Sequence, residues 1–123
     1  MNTFNRQLKR FKCAISGVCE LIRSQKNARI HLVATIIIAI LGITVKLDRM
    51  EWCVIIMAAG LVWFAEAMNT AFEKLCDLVS PDRHSLVKSV KDIAAGAVLL
   101  ASMAAAGAGL IIFGPSLWAL IFN

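Results

Sequence analysis

Apolar residues along this chain follow two kinds of pattern. From Phe4 to Ile22 they are spaced: Phe4, Leu8, Phe11, Ile15, Val18 and Ile22 recur at helical intervals, with Arg6, Lys9, Arg10, Lys12 and Arg23 between them. Residues three and four apart share a helix face, so this spacing predicts an amphipathic helix over 4–26. Such a helix either lies in a membrane interface or packs on the protein's own cytoplasmic face, and the pattern leaves both open. Further on, the apolar residues run continuously. IHLVATIIIAILGITVKL covers 30–47, WCVIIMAAGLVWFAEAMNTAF covers 52–72 and IAAGAVLLASMAAAGAGLIIF covers 93–113. Each run has the length a helix needs to cross about 30 Å of hydrocarbon at about 1.5 Å per residue. No barrel alternation is visible, and a span must close its backbone hydrogen bonds, so all three are expected to be helical. The predicted fold class is an all-α membrane protein of one domain, 1–123, with three transmembrane helices and an N-terminal amphipathic interfacial helix.

Punctuation refines the third span. Ser80-Pro81 reads as a helix start, with Ser as N-cap and Pro at the first helical position, and Gly114-Pro115 reads as its end. A helix over 82–113 would be about 48 Å long, so its first turns, with His84, Lys88, Lys91 and Asp92, should project from the bilayer.

Composition supports a membrane protein: 59% of the residues are hydrophobic and Tyr is absent. The net charge of +5 is uneven. Arg6, Lys9, Arg10, Lys12, Arg23, Lys26 and Arg29 face one acid, Glu20, within residues 1–31. This basic block directly precedes an apolar run, so anionic lipid head groups, not nucleic acid, are its expected counter-charge. Lys74, Arg83, Lys88 and Lys91 add to the 73–92 connection, whereas the 46–51 turn holds only Lys46 and Arg49. The N-terminus and the 73–92 connection are therefore expected on the cytoplasmic side. Trp52 and Trp118 fall at interfaces, and Trp63 falls deeper, at a packing position. Cys13, Cys19, Cys53 and Cys76 show no C-x-x-C spacing and read as small hydrophobes. No signal peptide is evident.

One stripe breaks the apolar pattern. At 100° per residue, Glu66, Asn69, Thr70, Glu73 and Asp77 all fall within about 60° of Glu66. Glu66 lies several Å inside the cytoplasmic boundary, where an ionisable group costs at least about 2.5–3.5 kcal/mol. Pairing with a Lys or Arg for structure is the bland explanation. The functional one is that carboxylates with an amide between them form a hard oxygen set suited to Mg²⁺. The deeper carboxylate could then accept a proton while the shallower holds a cation. Lys88, Lys91 and Asp92 share a face where the third span enters the membrane, with the small residues Ala94, Ala95, Gly96 and Ala97 below. They read either as a solvated charge cluster or, with the acid stripe, as the parts of a phosphoryl-transfer site. No G-x-x-x-x-G-K-[ST] loop, kinase-type Gly-rich loop or H-E-x-x-H motif is present.

The stretch EAMNTAFEKLCDLVSPDRHSLVKSVKDIAAGAVLLA resembles the small bacterial integral-membrane diacylglycerol kinase family, which includes undecaprenol kinases. Glu66, Asn69, Thr70, Ala71, Glu73 and Asp77 meet its E-x-x-N-[ST]-A-x-E-x-x-x-D pattern, and His84, Lys91, Asp92 and Val98 match the pattern that follows. FKCAISG matches F-x-x-A-x-x-G and NARIH matches N-x-R-I-H, so the likeness runs over about residues 4–105. The resemblance implies a homotrimer with active sites shared between subunits, ATP as co-substrate, Mg²⁺ as metal and a membrane lipid alcohol as acceptor. It implies a bacterial inner (cell) membrane location with the active site on the cytoplasmic side. Glu66 matches the catalytic base, and Glu73, Gln25 and Asn69 match the metal shell. Arg6, Cys13, Gln25, Glu73, Asp82, Arg83, His84, Lys91 and Asp92 match positions around the nucleotide. Asn27, Ala28, Arg29, Ile30, His31 and Ala95, with Glu66, match the lipid side. Two positions depart from the pattern: Gln25 stands where the family usually has a metal-binding Glu, and Cys13 where many members have an aromatic residue. A neutral amide oxygen implies weaker metal binding.

The leading reading is an ATP- and Mg²⁺-dependent lipid kinase, with undecaprenol slightly favoured over diacylglycerol. The rival from another class is a small proton-coupled transporter using Glu66 as its proton site. A third reading is a catalytically reduced relative that keeps the fold, which Gln25 alone supports.

Overall fold

A computed structural model describes residues 2–80, 82 and 84–123. Four helices follow one another: α1 Thr3–Ser24, α2 Lys26–Thr44, α3 Arg49–Val79 and α4 Ser85–Phe122. There is no strand among the described residues. Three of the helices, α2, α3 and α4, are long and apolar enough to cross a membrane.

The amphipathic segment forms α1, ending two residues before its predicted limit. Gln25 interrupts the chain with extended dihedrals (φ −114°, ψ 121°), and its side chain caps neither neighbouring helix. The apolar stripe of α1 is open: Phe4, Leu8, Phe11, Ile15 and Val18 are all exposed, and only Leu21 at its end is buried. The chain's other helices do not cover this stripe, which leaves a bilayer interface or another subunit to do so.

α2 ends earlier than its hydropathy suggested. Lys46 adopts a left-handed conformation (φ 56°). Its N–H donates to the Ile43 carbonyl, and the Leu47 N–H donates to the Gly42 carbonyl at 3.0 Å, the paired closure that terminates many helices. Trp52 and Leu47 lie directly over Gly42, so the turn is packed from above. Asp48 then opens α3: its Oδ1 accepts from the amides of Met50 (2.8 Å) and Glu51 (2.9 Å), and the Glu51 carboxylate accepts from the Asp48 amide at 2.9 Å. This reciprocal box satisfies orphan donors and contributes about 1 kcal/mol. With no breaker before Ser80, α3 runs on for 31 residues, well beyond the apolar window 52–72.

Two expectations from punctuation are corrected. Ser80 does not open α4; its amide donates to the Cys76 carbonyl at 2.9 Å and closes α3. The N-cap of α4 is His84, whose Nδ1 accepts from the Leu86 amide at 3.1 Å. Pro81, expected at the first helical position, lies outside the described residues. Nor does Gly114-Pro115 end α4, which continues to Phe122 with Pro115 inside it. Pro115 removes one backbone donor, but in an apolar setting the following residues satisfy their own polar groups only by staying helical. Stacking of Trp118 on Phe122, with ring centroids 4.3 Å apart, supports the last turn.

α3 and α4 form the main packed pair. Val62 and Ala65 of α3 meet Ala101 of α4, flanked by Val98 and Ala105. Positions 98, 101 and 105 share one face, and their small side chains let the backbones approach. α1 and α2 pack more lightly on α3. Outside these contacts the spans expose Ile30, Ile36, Ile40, Ile56, Leu100 and Leu110, among others, a surface suited to lipid or to further protein.

Candidate active site

The polar stripe of α3 faces inward at its upper end and opens toward the α3–α4 connection. Glu66 is 1% exposed, Asn69 8% and Thr70 5%. Glu73 is half-buried and Asp77 exposed. Glu66 is the most deeply buried large side chain described, in a helix that otherwise buries apolar residues. Asn69 Nδ2 donates to Glu73 Oε1 at 3.3 Å, joining the stripe at one turn's spacing. Three buried acceptors lack any hydrogen-bond partner: Glu66 Oε2, Asn69 Oδ1 and Thr70 Oγ1. Each unsatisfied buried group costs about 1–3 kcal/mol, so three together within two turns call for an occupant or a mechanism.

α2 supplies the neighbour of Glu66. His31 Nε2 lies 3.7 Å from Glu66 Oε2, and the His31 side chain is 21% exposed. Thr35 Oγ1 donates to the His31 carbonyl at 2.7 Å and accepts from Trp63 Nε1 at 3.0 Å. The deep Trp63 is thus a hydrogen-bonding link between α2 and α3 as well as a packing residue.

At the other end of the stripe, α4 returns. Lys91 Nζ donates to Asp77 Oδ1 at 2.6 Å, while Lys88 pairs with Asp92 one turn apart. Asp77, Ser80, Asp82, His84, Lys88 and Lys91 help line an open cleft of about 520 Å³ there. Asp77 is eleven residues beyond Glu66, about 16 Å along the helix. Lys91 therefore sits one turn past Glu73 and not beside Glu66. Lys74 forms an ion pair with Glu20, tying α3 to α1. Glu20 is held below its ordinary carboxyl value by the hydrogen bond and charge of Lys74. On the membrane side, Asn69 is the polar member of an apolar groove of about 410 Å³ between α3 and α4, with Phe64, Met68, Phe72 and Leu100 around it.

The remaining residues singled out by the sequence are less gathered. Arg6 and Cys13 are exposed on α1. Asn27, Arg29 and Ile30 are exposed at the start of α2, whereas Ala28 is fully buried. Ala95 is exposed, off the α4 face that packs on α3. Arg83 lies outside the described residues. Gln25 is half-buried at the α1–α2 break. Sequence reasoning missed the His31–Glu66 approach, the Trp63–Thr35 link and the two ion pairs of Lys74 and Lys91. All four join different helices, and no local spacing announces them.

The donor set suits a hard cation. Asn69 Oδ1 has a free lone pair and the Glu73 carboxylate adjoins the same side chain. No group of three or more His, Cys, Asp or Glu converges among the described residues. Mg²⁺ is commonly held by one or two carboxylates together with water and substrate phosphates, a role the Glu73 carboxylate and Asn69 Oδ1 would suit.

Three long apolar helices, with a polar stripe on α3 whose Glu66, Asn69 and Thr70 are buried, define a multi-pass α-helical membrane protein with a polar site. The family model described as prokaryotic diacylglycerol kinase matches residues 12–113. An undecaprenol kinase from Bacillus subtilis is 37% identical over 116 residues, covering 94% of each chain. A diacylglycerol kinase from Synechocystis is 36% identical over 112 residues, covering 90% of this chain and 64% of that one. The chain belongs to the prokaryotic diacylglycerol kinase family, and it is a phosphotransferase with an alcohol group as acceptor. This assignment decides against the proton-coupled transporter.

Proposed function

We propose that the protein transfers the γ-phosphoryl group of ATP, with Mg²⁺, to the hydroxyl of a membrane lipid alcohol, and that undecaprenol is preferred over diacylglycerol. The carrying observation is Glu66: a carboxylate 1% exposed, with one oxygen lacking a hydrogen bond, heading a stripe that leads to an open cleft lined by both Lys and Asp side chains. Glu66 takes the proton as the lipid O–H bond breaks. The lipid oxygen then bonds to the γ-phosphorus, the bond from that phosphorus to the bridging oxygen breaks, and ADP leaves. Glu73 and Asn69, with Gln25, hold the metal. Bound there, Mg²⁺ would neutralise charge on the β- and γ-phosphates. Lys91, released from Asp77, binds phosphate oxygens, and Asp92, Asp82, Arg83 and His84 border the nucleotide together with Arg6 and Cys13. Asn27, Ala28, Arg29, Ile30, His31 and Ala95 face the lipid.

The active unit is a homotrimer with sites shared between subunits, set in the bacterial cell membrane with the nucleotide on the cytoplasmic side. Support for an assembly comes from the exposed stripe of α1 and the dispersed placement of Arg6, Cys13 and Ala95. The preference for undecaprenol rests on the Bacillus subtilis relative, whose length this chain nearly matches. The test is a side-by-side assay of purified protein in mixed micelles with radiolabelled ATP and Mg²⁺. Label should enter undecaprenol more readily than diacylglycerol. Faster labelling of diacylglycerol would reverse the lipid assignment, and labelling of neither would refute the activity.

A further inference from the structure

The half-buried imidazole of His31 approaches the buried carboxylate of Glu66 across the α2–α3 contact. The His31 Nε2–Glu66 Oε2 separation of 3.7 Å is within ion-pair range but too long for a hydrogen bond, and Glu66 Oε2 is one of the orphaned acceptors. A shift of under about 1 Å would close it. His31 is also the better anchored of the two. Its carbonyl is gripped by Thr35, and Thr35 is gripped by Trp63, one turn before Glu66 on the same helix. The segment presenting the imidazole is thereby fixed to the segment presenting the carboxylate.

We infer that His31 is the positioning residue for Glu66: its Nε2–H donates to Glu66 Oε2, fixing the carboxylate and turning Oε1 toward the lipid hydroxyl. This rests on the proposed role of Glu66 as base and adds to it. A buried carboxylate oxygen without a donor is costly, and a hydrogen bond offsets that cost. Among the described residues no Lys or Arg pairs with Glu66, and Thr70 Oγ1, one turn along α3, is itself left without a hydrogen bond. α4 has no titratable residue from Ile93 to Phe122, and its contacts near Glu66 are Val98, Ala101 and Ala105. On α1, Glu20 is committed to Lys74. On α2, Lys26 and Arg29 are exposed, and on α3 itself Glu73 lies two turns away and is bonded to Asn69. The role differs from a lipid contact because it acts through Glu66 and so governs turnover and its pH dependence.

The test compares His31→Leu, His31→Gln and Glu66→Gln in the full chain reconstituted in lipid. Loss of an orienting partner of this kind typically lowers activity by about 10–100-fold, so H31L should lose kcat by that factor with nucleotide KM unchanged. The acid limb of its pH–rate profile should leave the parent's position. H31Q, which retains a donor of similar reach, should recover most of the kcat and return the limb toward its original position. Infrared difference spectra give a readout apart from turnover. The carboxylate stretching bands that vanish in E66Q should shift in H31L. His31→Phe takes the same readouts if H31L does not fold. Unchanged kcat and acid limb in H31L would overturn the inference. So would a rise confined to lipid KM, or equal losses in H31L and H31Q with the limb unmoved. An active E66Q would instead strike the base assignment itself, whereas an inactive E66Q beside a normal H31L would leave the base standing and remove His31.

Discussion

Replacing Gly42 with Ala tests how the α2–α3 hairpin is fixed, and with it the level at which His31 meets Glu66. A Cβ at Gly42 would lie 2.7 Å from Trp52 Cη2, 2.9 Å from Trp52 Cζ2 and 3.0 Å from Leu47 Cδ1. Carbon atoms settle at about 3.5–4.0 Å, so the indole must retreat by nearly 1 Å. The ring is rigid, and Leu47 is held by the bond from its amide to the Gly42 carbonyl. Overpacking of this kind costs about 1–3 kcal/mol. Against it stands the gain of about 0.5–1 kcal/mol for Gly→Ala within a helix. The clash wins, and G42A should be destabilised by about 1–2 kcal/mol. Gly60→Ala is the control: nothing in the chain lies within 4 Å of a Cβ there, so the propensity gain should stand alone. Equilibrium unfolding in mixed detergent micelles measures both. Opposite signs are expected, with Trp52→Ala restoring G42A. A G42A protein as stable as the parent would refute the packing argument.

Lys46→Gly should stabilise the protein by about 1 kcal/mol in the same unfolding assay, because it relieves a left-handed backbone that Lys adopts at φ 56°. The Glu20–Lys74 pair should matter only above acid pH. With the folded value of Glu20 depressed, its contribution is present above the ordinary 4.5 and fades as pH falls through the lower folded value. Hydrogen exchange of α1 amides should therefore accelerate below that point, and Glu20→Gln should remove the step. Gln25→Glu adds a carboxylate at the proposed metal shell and should lower the Mg²⁺ concentration for half-maximal activity. An unchanged Mg²⁺ dependence would take position 25 out of the shell.

Much of this structure is legible in the chain because helical geometry is local. The fixed 100° step placed Glu66, Asn69, Thr70, Glu73 and Asp77 on one stripe, and burial then grades along it from Glu66 to Asp77. Span lengths were legible for the same reason, although hydropathy marks only the apolar window and α3 and α4 extend past it. The capping box at Asp48 and Glu51 is equally local, written in a D-x-x-E spacing at the start of α3. Punctuation misled twice. A Ser before a Pro can close one helix as readily as open the next, and a Gly-Pro step that stops a helix in water need not stop one in an apolar medium. What stayed hidden are the contacts between helices. Thirty-five positions separate His31 from Glu66, and fourteen separate Asp77 from Lys91. Only the packing of α2 and α4 on α3 brings either pair together.

The account turns on Glu66 as the group that accepts the lipid's proton. The most direct measurement is phosphoryl transfer to the lipid alcohol by Glu66→Gln, with ATP binding measured on the same preparation. Removing a general base lowers turnover by about 10²–10⁴-fold, so the variant should lose activity on that scale while binding ATP as the parent does. Transfer within a few-fold of the parent rate would contradict the account.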